Sequence, residues 1–221
     1  DLLAPVYALN TVLDEERKLV HVNFGDIVES HLAAVDFVRN ATEVAVGRRF
    51  STILTSAAGY PLDQTYYQTV KGMVTPLDIL EPGGSLIIAS ECSEGFGSAE
   101  FAAAQRRLVD LGPEAFLESL LAKRLADVDE WQTEMQLKAM RQGEVKFFTS
   151  GLTADELAIT GVETVESLEA AVAEAVRRSG DPAVAVIPEG PYVVPFFRPG
   201  GRLNSRKTPP PQPSPIKGEG A

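Results

Sequence analysis

The stretch AAGYPLDQTYYQTVKGM, residues 57–73, concentrates groups that could handle a small polar ligand. Read as a helix beginning after Asp63, it places Gln64, Gln68 and Lys71 on one face, because residues three and four apart are helical neighbours. Tyr67 stands beside that stripe. Gln68 offers a carbonyl acceptor and an amide donor, and Lys71 offers a mobile ammonium with three donors. Together they suit a clamp for a carboxylate or a hydroxy acid. An ordinary solvated helix face satisfies the same spacing.

A second candidate is SEGFGSAEF, residues 93–101, where Gly95 and Gly97 precede a helix start and could cradle an anion. Two glycines in a tight turn explain the same letters, and the spacing is too short for a dinucleotide fingerprint. His21 in a strand and His31 on a helix lack companions at metal-ligand spacing, so structural roles and no metal site are expected. Cys92 follows an apolar strand and reads as a small reduced core residue. Trp131 is the chain's one tryptophan and lies in the charged run DVDEWQTEMQ, where it suits either a binding surface or helix packing.

Composition narrows the class of function. The 221 residues are 44% hydrophobic and 23% charged, which suits one large globular domain with a sizeable core. A net charge of −11 argues against nucleic acid and anionic membranes as partners. A single cysteine excludes an internal disulfide and cysteine-built zinc sites, and no apolar run approaches the length of a membrane span. A cytoplasmic location is expected.

The elements that must position these groups follow from periodicity. Residues 6–13 and 19–24 read as strands across the charged turn DEERK, and Asp26 caps a helix running to residue 39 with Glu29 at its capping-box position. Residues 42–46 and 50–56 read as short strands, the second central in a sheet. Asp63 is expected to cap the next helix, which runs to about Leu80 with a kink at Pro76 and ends at Glu81-Pro82-Gly83-Gly84. A buried strand at 85–90 follows, then helices near 98–110, 113–125 and 128–142. Further on come a strand at 145–150, a short helix from Thr153, a helix near 164–178, a strand at 183–187 and an extended piece at 192–197.

This alternation predicts an α/β fold: a mainly parallel sheet with helices on both faces, a three-layer sandwich, with the opening hairpin as an antiparallel edge. Tyr60 and Pro61 then sit at the C-terminal mouth of strand 50–56, the edge where open α/β sheets bind ligands. From Gly200 the chain turns basic and holds five of its fifteen prolines, so residues 200–221 are expected to be a disordered, Pro-rich tail.

The run LNTVLD, GD, H, TSAAGYPLDQTYYQTVKGM and EPGGSLIIASECSEGFGS resembles the C-terminal domain of the nickel-dependent lactate racemase family. The resemblance covers about residues 6–198, and its central motif is long enough to be specific. One departure is Ala58, where the family pattern has a glycine; it should matter little unless that backbone needs a positive φ.

The resemblance implies a domain, residues 1–199, that closes over a nickel-pincer nucleotide held by an N-terminal domain. It makes Gln68, Lys71 and Trp131 the residues that contact a small 2-hydroxy acid, with Tyr60, Asp63, Tyr67, Gly95 and Gly97 as further pocket candidates. The implied reaction is racemisation or epimerisation at the hydroxyl-bearing carbon by transient hydride transfer to the cofactor. In the family, the cofactor lysine and the acid/base and nickel-ligating histidines belong to the other domain. No catalytic residue is therefore expected in this chain, and alone it should bind no cofactor and turn over no substrate. Since it starts at Asp1, it is expected to be a C-terminal piece of a longer enzyme. The competing expectations are a stand-alone small-anion binding module of the same fold and, more distantly, a nucleotide-binding transferase using the glycine loop.

Overall fold

The computed structural model describes residues 5–14 and 16–200, so the expected tail lies almost entirely outside the described residues. These residues fall into two compact units, one ending at Glu43 and the other beginning at Val44.

The first unit is a hairpin and a helix. Strands β1 (Tyr7–Leu13) and β2 (Leu19–Asp26) pair antiparallel as a two-stranded sheet of their own. Helix α1 (Ile27–Thr42) starts where Asp26 accepts from the backbone N–H groups of Val28 and Glu29, as its sequence position predicts.

The second unit carries the five-stranded sheet. Strands β4 (Phe50–Ser56), β5 (Leu80–Ala89), β6 (Glu144–Phe148), β7 (Glu163–Thr164) and β8 (Val184–Ile187) run in the order β7-β6-β5-β4-β8, with every adjacent pair parallel. Strand β5 shows why both faces are covered. Leu86 and Ile88 enter the main core, while Ile87 between them packs with Ala171 and Ala175 of α7 (Leu168–Ser179) on the other side. The main-core face carries α2 (Tyr66–Val74), α3 (Ala99–Leu111) and α5 (Glu130–Gln142). Helices α4 (Pro113–Leu121) and α6 (Ala154–Ala158) complete the layers. The short β3 (Glu43–Val46) pairs with the late β9 (Val194–Phe197) in a separate two-stranded sheet. No helix among the described residues is long and apolar enough to cross a membrane.

Most helix starts follow local chemistry. Ser98 accepts from Phe101 N–H, Ser167 from Ala170 N–H, and Thr153 with Glu156 forms a reciprocal capping box. Gly112, at φ 78°, lets α3 end and Pro113 begin α4. The expectation for the helix after Asp63 needs correction at both ends. Thr65 is the cap, and α2 stops at Val74. Pro76, which cannot donate to a helix, precedes a 3-10 turn at Leu77–Ile79. The Glu81-Pro82-Gly83-Gly84 segment then lies within β5, which begins five residues before the apolar run expected at 85–90. The register against β4 shifts between Phe50 and Thr52, so Pro82 and the two glycines are absorbed as an irregularity in the strand.

Near the start of α5, Glu130 is almost fully buried, yet its carboxylate accepts from Arg107 (2.6 Å), Lys123 (2.7 Å) and the Asp127 N–H (3.0 Å). Burial alone would raise its carboxyl; these bonds outweigh it and hold the group below its ordinary value. A depressed folded-state value means ionised Glu130 supports the fold above the usual carboxylate range and loses that role as pH falls through the lowered value. Glu130→Gln should therefore lower the melting temperature at pH 7 and flatten the acid limb of the melting curve below about pH 4. Wild-type behaviour on both counts would show that the bonded carboxylate contributes nothing to stability.

Candidate functional site

The site grows from two loops at the C-terminal edge of the parallel sheet. After β4 the chain passes through Ala58 (φ 69°) and Gly59 (φ 70°), whose carbonyl accepts from Leu62 and Asp63 N–H. The loop after β5 zips onto this one. Asp63 C=O accepts from Cys92 N–H (2.7 Å) and Gln64 C=O from Glu94 N–H (2.7 Å). Tyr66 and Tyr67 N–H donate to Gly95 and Phe96 C=O, each at 3.1 Å. The first amides of α2 are thus spent on protein backbone, so the polar chemistry of this edge rests on side chains.

Ala58 now matters more than its sequence suggested. A positive φ strains a residue with a Cβ, and nearby Gly59 already takes the same region without that cost. Ala58→Gly should stabilise the fold by about 0.5–1 kcal/mol despite glycine's larger unfolded-state entropy. Urea unfolding checks this; a lower midpoint would show that the Ala58 methyl makes compensating contacts.

Tyr67 is the hub of the cluster. Its ring meets Phe101 edge-on at 5.2 Å and Trp131 edge-on at 6.1 Å, and the Lys71 ammonium lies 6.0 Å from its centroid. Two candidates from different helices, Lys71 and Trp131, therefore converge on a third. Lys71 is exposed, and Trp131 remains 47% exposed despite that contact. Gln68 follows Tyr67 in α2; its side-chain oxygen is buried and has no hydrogen-bond partner among the described residues. An unpaired acceptor in that position costs stability unless something donates to it.

Asp129, missed in the sequence, completes the group. It begins α5 in the left-handed region (φ 60°), and its carboxylate makes no cap bond. It accepts instead from Ser98 Oγ at 2.6 Å. Burial, followed by the charge and hydrogen bonding of Asp129, pushes the Tyr67 phenol above its ordinary value, so Tyr67 stays a protonated donor at neutral pH. The only sequence signal was an acidic residue two positions before Trp131, which reads equally as a helix cap. Gln132 supports the same wall by donating to Tyr67 C=O at 2.6 Å.

Other expected residues fall elsewhere. Gln64 precedes the helix and donates to Glu94 at 2.6 Å, so it is not part of a stripe with Gln68 and Lys71. Asp63 serves the loop, its carboxylate accepting from Glu91 N–H at 3.3 Å. Tyr60 is 83% exposed, and no hydrogen bond or ring contact ties it to the Tyr67 group among the described residues. Gly95 and Gly97 have packing reasons: a Cβ on Gly97 would stand 2.9 Å from the Tyr67 Cβ, and one on Gly95 would stand 3.0 Å from a Glu156 oxygen. Cys92 is buried between Thr69 and Ser90, and burial raises its thiol despite their hydrogen bonds. His21 stacks on Phe37 at 4.5 Å within the first unit. No group of three or more His, Cys, Asp or Glu is placed to hold a metal ion among the described residues.

Comparison with known proteins gives a consistent answer. The family model described as lactate racemase C-terminal domain matches residues 48–194. The lactate racemase of Lactiplantibacillus plantarum is 30% identical over 192 residues, a match covering 85% of this chain and 44% of that protein. The lactate racemase of Thermoanaerobacterium thermosaccharolyticum is 28% identical over the same shares. The solved lactate racemase apoprotein from that organism superposes with a TM-score of 0.76 at 26% identity, covering 87% of this chain and 46% of the other. A Thermotoga maritima protein at 12% identity and a TM-score of 0.58 shares the fold. The chain spans less than half the length of the curated relatives it matches.

Proposed function

Because the chain belongs to the lactate racemase C-terminal domain family, we propose that it is the substrate-closing part of a racemase or epimerase of small 2-hydroxy acids. The observation that carries this reading is the convergence of Lys71 and Trp131 on Tyr67, next in sequence to the unsatisfied Gln68 oxygen. Lys71 supplies the positive charge for a carboxylate. The Gln68 carbonyl accepts the substrate hydroxyl, which would satisfy the orphaned atom. Tyr67 and Trp131 form an aromatic wall that excludes water from one side of the substrate.

The nickel-pincer nucleotide of the family would supply the hydride acceptor for such a reaction. The described residues do not fit a nickel site, since their acidic, histidine and cysteine side chains form no suitable group. We assign the cofactor to the amino-terminal part of the enzyme. In this reading residues 1–199 act by binding and orienting the acid.

Trp131 is the only tryptophan, so its fluorescence reports directly on the pocket. Titrating the 221-residue chain with lactate should change that emission, and Lys71→Ala should weaken the apparent affinity about ten- to a hundredfold, the worth of a charge-assisted hydrogen bond. Unchanged emission at saturating lactate in the wild type, or equal affinity in the variant, would remove the assignment. Binding that survives without racemisation once the amino-terminal part is joined would favour a small-anion binding module.

A further inference from the structure

The first unit carries a polar network on its inner side and an apolar face on its outer side. Strand alternation places Tyr7, Leu9, Val22 and Phe24 on one face of the hairpin with Thr11, and the register shift after Val12 adds Leu13 opposite Leu19; these six apolar residues are all exposed, Leu9 at 65% and Phe24 at 71%. Leu9 lies directly opposite Phe24, and the Tyr7 and Phe24 rings stack at 5.9 Å. The opposite face meets α1 partly through amides: Asn10 donates to Asn23 Oδ1 and to Ser30 Oγ, both at 3.1 Å, Asn23 donates to Ser30 C=O at 2.8 Å, and His21 stacks on Phe37. The buried residues of α1 are Ser30 and Ala34, while Val28 and Leu32 are exposed. A surface hairpin ordinarily shows the reverse pattern. A two-stranded sheet is also marginal alone, and a contiguous apolar face of this size marks an interaction surface.

We infer that the outer face of the β1–β2 hairpin is a docking surface for the amino-terminal part of lactate racemases, the part this chain does not match. Two observations select that occupant. The family model begins at residue 48, yet the matches to the curated relatives are longer than the stretch from there to the end of the chain, so they reach into the hairpin-helix unit. At least α1 of the unit thus belongs to the relatives' fold, and more than half of their length remains to supply a covering layer. A second copy of this chain is the weaker occupant, since each copy carries a net charge of −11 and the two would repel. The inference rests on the proposed two-part enzyme for the identity of its partner. The partner surface must be mainly apolar, a sheet face or a helix layer, because the six apolar residues dominate the face, with Thr11 among them and Asp26 only at its edge.

The test fuses the unmatched amino-terminal portion of the Lactiplantibacillus plantarum lactate racemase ahead of this chain. Amide exchange in β1 and β2 and binding of the dye ANS are compared with the free 221-residue chain. The free chain should bind ANS and exchange these amides quickly; fusion should abolish dye binding and slow exchange at least about a hundredfold. Leu9→Ser/Phe24→Ser in the fusion should return β1 and β2 to fast exchange while β4 and β5 stay protected. Equal exchange in the free and fused wild-type chains would overturn the inference. So would a free chain that forms a dimer dissociated by the same double substitution, which would assign the face to a second copy. A fusion with a protected hairpin but no lactate racemisation would sink the functional reading and leave the interface standing.

Discussion

Lys71→Ala, in an enzyme that joins this domain to its amino-terminal partner, should lower kcat/KM for a 2-hydroxy acid by roughly ten- to a hundredfold. The size follows from removing a charge-assisted hydrogen bond to the carboxylate. Lys71 is exposed and forms no salt bridge among the described residues, so the substitution removes little that holds the fold together. The melting temperature should therefore barely move. Gln68→Ala should cost less in binding but as much in rate if its carbonyl orients the hydroxyl, because misplacing a reacting group is expensive. It should also be neutral or stabilising without substrate, since it deletes a buried acceptor that has no partner. Wild-type kinetics for both variants would return the helix face to an ordinary solvated surface. Parallel losses of rate and stability would make these residues structural.

Tyr66→Ala should destabilise the domain by about 3–5 kcal/mol, the cost of emptying a large buried aromatic position. Tyr66 is completely buried, its ring lies 5.0 Å from Phe96 and 5.2 Å from Phe147, and its hydroxyl stands 2.9 Å from Gln136 Oε1 and 3.1 Å from Thr160 C=O, sharing its single proton between these two acceptors. Tyr66→Phe should cost only about 1 kcal/mol. The Gln136 oxygen keeps its bond from Gln105 and the Thr160 carbonyl keeps its bond from Gln136, so neither acceptor is stranded. Urea unfolding of the two variants separates packing from hydrogen bonding. A loss of similar size in both would place the stabilisation in the hydroxyl network. Adjacent Tyr67 should show the opposite profile, with Tyr67→Phe affecting ligand binding more than the melting temperature.

The contrast between these neighbouring tyrosines shows where reading the sequence stops. Helical spacing located the segment, and the motif pointed to its ligand edge, but Gln64 fell outside the helix because Thr65 rather than Asp63 accepts from Gln68 N–H. Either residue is a competent cap by type. The choice was settled by the loop after β5, which engages the Asp63 carboxylate and carbonyl through Glu91 and Cys92 N–H. Two residues of shift at the cap leave Gln64 outside the helix while Gln68 and Lys71 keep their shared face. Asp129 was invisible for a related reason, since its bond to Ser98 crosses 31 positions of sequence.

By itself the sequence determined the order and type of most elements, the two-sided burial of the sheet and the family motif. These depend on local periodicity, on capping residues within three positions and on runs such as SLIIAS that no exposed strand would carry. Only the tertiary structure decided that Tyr66 faces the core while Tyr67 gathers Lys71, Trp131 and Asp129, that Ala58 occupies a left-handed backbone, and that the hairpin turns its apolar face outward. The alternation of β1 and β2, interrupted by a register shift after Val12, names two sides without saying which is inner. That choice depends on what covers each side: α1 with its serine and alanine packs against one, and the other is left exposed among the described residues.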